Sequence, residues 1–196
     1  MKKIGLFLAY FYLTLGAEAQ IYTHQDSLRG SITKERAWWD LQKYSLLFDV
    51  NPTAKSISGS NVIRYKVITA HQLLQLDLQA PMTILSVTQD GIPLVIKHEG
   101  NAHFVELIKK QVVGAQEELV VSFSGKPQVA KNPPWDGGFT WKKDENNNPF
   151  IATSCQEVGA SLWWPCKDHM YDEPDLGMLI SVTVPKGLVA VSNGRL

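Results

Sequence analysis

YSLLFDVNPTAKSISGSNVIRYKVI, residues 44–68, decides the fold class. Tyr44, Leu46, Phe48 and Val50 alternate with Ser45 and Asp49, a period of two that turns one face of a strand inward. Asn51-Pro52 then bends the chain, because proline fixes φ and removes a backbone donor. Ile63, Tyr65 and Val67 resume the alternation against Arg64 and Lys66. Downstream, Leu74, Leu76 and Leu78 alternate with Gln75, Asp77 and Gln79, and Leu119, Val121 and Phe123 with Val120 and Ser122. Asp90-Gly91 separates residues 83–89 from 92–97 as a hairpin signal, and residues 103–108 form a further apolar run. At least seven short strands spaced about ten residues apart predict an all-β chain, a multi-stranded antiparallel or mixed β-sandwich. No helical period of comparable strength competes.

A length of 196 residues fits one domain, and 44% hydrophobic residues supply a core. The formal net charge is zero, so there is no electrostatic basis for binding nucleic acid or an anionic membrane surface. Lys2-Lys3, the apolar run 4–15 and Ala17-Glu18-Ala19 have the three parts of a secretory signal peptide. The run is short of the roughly 20 residues of a comfortable membrane span. The expectation is a signal peptide at 1–19, a processed start at Gln20, and export to a periplasmic, secreted or cell-surface location. An intact Met1 in the mass spectrum of exported material would refute it. Residues 20–40 read as mixed, with Arg29-Gly30-Ser31 breaking the run and Thr33–Leu41 as a short helix or an arm. Residues 127–149 read as the one long irregular segment, with Phe139-Thr140-Trp141 as a short strand inside it.

The second informative stretch is TSCQEVGASLWWPCKDHMYDEPD, residues 153–175. Two cysteines, adjacent tryptophans, two prolines, a histidine and five carboxylates are more than a plain sheet needs. The order polar run, aromatic pair, Pro-Cys turn, acidic loop suits a binding edge carried on a strand and anchored by a buried aromatic plug. The plainer reading is a packed loop with its charges in water. On a strand Trp163 and Trp164 face opposite ways, so one packs inward and the other meets a neighbouring surface.

These residues resemble the N-terminal domain of the aminopeptidase N family of gluzincin zinc metallopeptidases. Thr153, Gln156, Ala160, Trp164, Pro165, Cys166 and Asp168 match its Thr-Gln-x-Glu-like strand and aromatic-Pro-Cys-x-Asp turn, with Asp172, Glu173 and Pro174 following. Residues 44–68 resemble its opening hairpin and 184–196 its late strands, so the likeness covers roughly residues 40–196. The resemblance implies a saddle-like β domain over 20–196 that edges the substrate cleft. It also implies peptide substrates, and zinc held by a catalytic domain of the same polypeptide. It assigns Gln156 to contact with the substrate α-amine, where the family usually has Glu. Ser154 stands where many members have Gln, at the side wall of the first substrate residue.

The chemistry of that catalytic domain is not in this sequence. H-E-x-x-H, G-x-S-x-G, a P-loop and C-x-x-C are all absent, so no catalytic residue is assigned. His24, His71, His98, His103 and His169 are scattered. Asp168, His169, Asp172, Glu173 and Asp175 have metal-binding side chains, but the reading here is a solvated acidic loop, with no metal assigned. Cys155 and Cys166 read either as a bridge, worth roughly 3 kcal/mol, or as two buried thiols. The resemblance implies an unpaired packing thiol at Cys166. Two functions remain: the substrate-edge part of an exported zinc aminopeptidase, inactive alone, or a free-standing β-sandwich binding module for peptide or glycan. An H-E-x-x-H within about 150 residues past Leu196 would separate them.

Overall fold

The computed structural model describes residues 21–195; the expected signal peptide at 1–19 lies outside them. Two short helices, α1 (His24–Gly30) and α2 (Lys34–Ala37), precede eleven strands. These are β1 (Trp39–Asn51), β2 (Ser56–Val67), β3 (Leu73–Asp77), β4 (Thr83–Gln89), β5 (Ile92–Pro93) and β6 (Val95–Glu99). They continue with β7 (Ala102–Glu106), β8 (Gln116–Gly125), β9 (Gly138–Lys143), β10 (Pro149–Ser154) and β11 (Met178–Thr183). Strands hold 45% of the described residues and helices 8%, so the fold is all-β. A six-stranded sheet runs β11-β1-β2-β8-β4-β5, a three-stranded sheet β3-β7-β6, and β10-β9 forms a separate hairpin. The large sheet is mixed, because β11 pairs parallel to β1 while its other pairs are antiparallel.

Residues 44–68 form the β1–β2 ribbon, with Tyr44 opposite Ile63 and Phe48 opposite Gly59. Asn51 Oδ1 accepts from Ala54 N at 2.9 Å and closes the connecting turn. A side chain at Gly59 would sit 2.1 Å from Leu47 O, so only glycine allows the two strands this approach. The pairing register shifts between Leu41 and Lys43. That extra residue changes the parity of β1, so Trp39 and Leu41 are buried on the same strand as Tyr44 and Leu46. Leu46, Ile63, Leu119, Val121 and Phe123 from the large sheet join Leu74, Leu76 and Val105 from the small one in one core. Each such side chain contributes roughly 1.5–3 kcal/mol on burial.

Three sequence expectations change and one is met. The 83–97 hairpin closes at Asp90 and Gly91, both at positive φ, but its second arm divides. β5 pairs only Thr88 with Pro93 and Gln89 with Ile92, and the chain then crosses to the other sheet as β6. Proline has no N–H to extend the ladder. Residues 33–41, read as a short helix or an arm, contain α2, and α1 precedes them; together the two helices form an arm before β1. α1 starts on a capping box in which Thr23 and Asp26 satisfy each other's backbone N–H. Its Leu28 packs on Ala102, Phe104 and Leu73, covering the outer face of the small sheet. The strand expected to carry the Thr153–Gln156 edge ends at Ser154, beyond which a turn and the 3₁₀ segment Ala160–Leu162 carry the chain. Residues 184–195, expected to form late strands, contain no strand; Val189 and Val191 are exposed.

Candidate functional site

β10 delivers the candidate residues to the edge of the molecule. Ser154, its last residue, is half-buried and donates through Oγ to Asp136 O at 2.6 Å. That hydroxyl therefore ties β10 to the start of β9. Cys155 to Val158 then make a tight turn, closed by Val158 N donating to Cys155 O at 3.3 Å. Gln156 and Glu157 occupy its two central positions, both exposed, and Glu157 has a φ of 65°. A positive φ at the second central position is the pattern of a type II turn, which glycine usually fills. Gln156 thus projects from a turn, not from a strand face.

The flanks of this turn are fixed by side chains distant in sequence. Arg29 Nη2 donates to Glu157 O at 3.2 Å, and Gln79 Nε2 donates to Val158 O at 2.6 Å. Asp168 Oδ2 accepts from Ser161 N at 3.2 Å and from the Ser161 hydroxyl. Gly159, at φ 76°, leaves room for that carboxylate; a Cβ there would lie 2.2 Å from Asp168 Oδ2. Asp168 N donates to Asp77 Oδ2 at 3.0 Å, and Arg36 Nη2 pairs with Asp77 Oδ1 at 2.6 Å. Both Arg36 and Asp77 are buried, and burial raises the Asp77 carboxyl against the opposing pull of Arg36. Arg36 Nη1 also donates to Leu28 O at 2.8 Å, Ser31 O at 2.9 Å and Arg29 O at 3.1 Å.

The aromatic plug holds the next stretch. Trp164 is buried edge-on against Tyr44 at 4.9 Å, and Trp163 packs against Phe48 at 5.1 Å and Phe139 at 5.7 Å. Trp164 packs inward, whereas Trp163 is half-buried and presents part of its ring to the surface. Tyr44 OH accepts from Lys167 N at 2.8 Å, and Asn61 Nδ2 donates to Pro165 O at 3.0 Å. Lys167 Nζ is buried, donates to Trp39 O at 2.6 Å, pairs with Asp172 and lies 4.1 Å from the Trp39 ring centre. Burial draws its pKa below the usual lysine range.

The acidic loop is solvated only in part: Glu173 and Asp175 are exposed, as expected, but several of its carboxylates are engaged. Asp168 and Asp172 are partly buried acceptors, and Asp175 Oδ2 accepts from Gln42 Nε2 at 3.0 Å. Leu41 N donates to Asp172 Oδ2 at 3.2 Å, and Leu176 N to Gln42 O at 2.7 Å. The loop therefore docks on the bulge in β1, where the ladder leaves backbone groups available. Among the described residues no three His, Cys, Asp or Glu side chains are grouped to hold a metal ion. Cys155 and Cys166 are free thiols, and burial pushes both above the usual range, Cys166 most strongly.

The structure places Ser154 at the end of β10 and Gln156 on the turn after it, and Asp168 beyond the Pro-Cys turn reaches back to Ser161. Sequence reasoning missed Arg29, Gln79 and Asp77. Gln79 and Asp77 were visible only as polar positions on an alternating strand, and nothing in the sequence marks Arg29, 128 residues before Glu157.

Beside the turn, Phe48, Phe139, Phe150, Trp163, Ile180 and Val191 line an apolar groove of about 710 Å³. Phe150 and Val191 leave more than half their surface exposed.

Residues 41–196 match the profile described as the Peptidase M1 N-terminal domain. Comparison with curated proteins finds no match. An M1 zinc metallopeptidase from Deinococcus radiodurans is similar at 20% identity and a TM-score of 0.59, over 81% of this chain and 37% of that one. Another structure of the M1 zinc metallopeptidase from that organism, bound to a Tyr-Ser-Ala substrate, gives 19% and 0.60 over 82% and 37%. Native yeast leukotriene A4 hydrolase gives 15% and 0.61, over 85% of this chain and 27% of that one. These likenesses concern the fold, and the chain spans 27% to 37% of the length of these structures.

Proposed function

The chain belongs to the family of peptidase M1 N-terminal domains, and from that premise we propose that it is the substrate-edge part of an exported zinc metallo-aminopeptidase that removes N-terminal residues from peptides. The observation that carries this reading is the family match over residues 41–196, within which Gln156 stands exposed on a turn held from both sides. A carboxamide oxygen there accepts a hydrogen bond from the ammonium of a free N-terminus. A bond to a charged partner is worth about 1.5–3 kcal/mol. Ser154 contributes through the strand it ties down, since its hydroxyl is engaged with Asp136 O.

The described residues do not fit zinc: their His, Cys, Asp and Glu side chains form no ligand set. In this reading the metal, which would polarise the scissile carbonyl, is held by other polypeptide of the same protein. The exposed apolar groove beside the turn supports the same division, being a surface of the kind another domain covers. Export rests on the N-terminal signal in the sequence. The test is to assay residues 20–196 and the complete protein on an alanyl-arylamide. The expected outcome is chelator-sensitive, zinc-restored turnover by the complete protein alone. The same turnover by residues 20–196 would refute the assignment.

A further inference from the structure

The helical arm before β1 lies ahead of the family match, which begins at residue 41, yet it reaches the candidate site at several points. Arg29 Nη2 holds Glu157 O at 3.2 Å. Gly30 O accepts from His169 Nε2 at 3.2 Å, and Arg36 O from Tyr171 OH at 2.9 Å. Arg36 pairs with Asp77, whose other oxygen accepts from Asp168 N. The arm therefore straps the turn at 155–158 and the loop at 168–171 to the small sheet. The turn needs external support, because Glu157 sits at a positive φ that non-glycine residues adopt at a cost. Arg29 is the one arm side chain that bonds the turn backbone directly, at the carbonyl next to Gln156.

We propose that the arm sets the position of Gln156, with Arg29 as a positioning residue for recognition of the substrate ammonium. This rests on the reading of Gln156 as the amine contact. Arg29 acts through the backbone and not by charge, since a guanidinium near an ammonium site repels it. Removing Arg29 should thus weaken amine binding even though it removes a like charge, and Arg29→Lys, which keeps a donor, should restore most of the loss.

The experiment uses the complete protein, with Arg29→Ala, Arg29→Lys and Gln156→Ala. It reads amide hydrogen exchange at Val158 and Gly159, and kcat and KM for an alanyl-arylamide. The expected result for Arg29→Ala is exchange faster by about two- to tenfold and KM higher by a similar factor, the range of one net hydrogen bond. The expected kcat is retained, and Arg29→Lys lies near the parent. Unchanged exchange in Arg29→Ala overturns the positioning role, as does an unchanged or lower KM where Gln156→Ala raises it. If Gln156→Ala itself leaves KM unchanged, the amine-contact reading fails, and the role of Arg29 in recognition fails with it.

Discussion

The β1–β2 ribbon and the 153–175 segment are held by different physics. In the ribbon, Leu46 and Ile63 are fully buried and the hydrogen bonds are those of a regular ladder. The second segment has little ladder beyond Ser154. Its backbone is fixed by side chains from elsewhere, among them Arg29, Gln79, Asn61, Tyr44 and Asp77. Apolar burial is non-directional and tolerates change if volume is kept. Charge-assisted bonds fix geometry closely but leave a costly orphan when one partner is lost. A scaffold suits the first, and a site that must hold one amide in place suits the second.

The most severe test of this contrast is at the buried Arg36–Asp77 pair, which supports the second segment through Asp168 N. Arg36→Ala should destabilise by about 3–5 kcal/mol, because Asp77 is left buried and uncompensated. A double variant Arg36→Met, Asp77→Leu should recover much of that in denaturant unfolding, yet leave the 157–168 amides exchanging faster. Recovery of both stability and protection would show that the pair does no positioning.

Within the ribbon, Leu46→Ala should cost about 2–5 kcal/mol through lost burial and the cavity left behind. Its effect should be global, lowering the unfolding midpoint without selective loosening of the turn. Selective loss of protection at 155–161 would break the comparison.

A smaller effect concerns pH. His103 Nε2 donates to Leu78 O at 2.9 Å, so its Nδ1, 2.7 Å from His98 Nδ1, must accept when His103 is neutral. Burial draws the His103 pKa below 6.5, so the unfolded chain binds the proton more readily than the fold. The resulting stabilisation is present above pH 6.5 and is lost as pH falls through the lowered folded value. Unfolding midpoints measured downward from pH 7 should decline, and His103→Gln should flatten that decline. A parent profile that is level below pH 6.5 would contradict this.

How far the sequence could be read follows from the same contrast. Alternation from Tyr44 to Val67 located the ribbon, because a strand with one buried face carries its period in residue types. The shift at Leu41/Lys43 left no such trace, since a bulge is a matter of pairing. Gln75 and Asp77 look solvent-facing beside Leu74 and Leu76, yet both are buried under the arm, a burial that only tertiary packing reveals. At the site, the family resemblance pointed to Gln156 and Ser154 but suggested a strand. The turn depends on Glu157 adopting a conformation that its side chain does not favour.

The most direct measurement is kcat/KM of Gln156→Ala in the complete protein, with zinc content and melting temperature as controls. If the carboxamide meets the substrate ammonium, kcat/KM for a free-amine substrate should fall by about 10- to 150-fold, the equivalent of a lost bond to a charged group. Zinc content and melting temperature should hold, and Gln156→Glu should be tolerated. Unchanged kinetics in a folded, zinc-loaded Gln156→Ala protein would contradict the account.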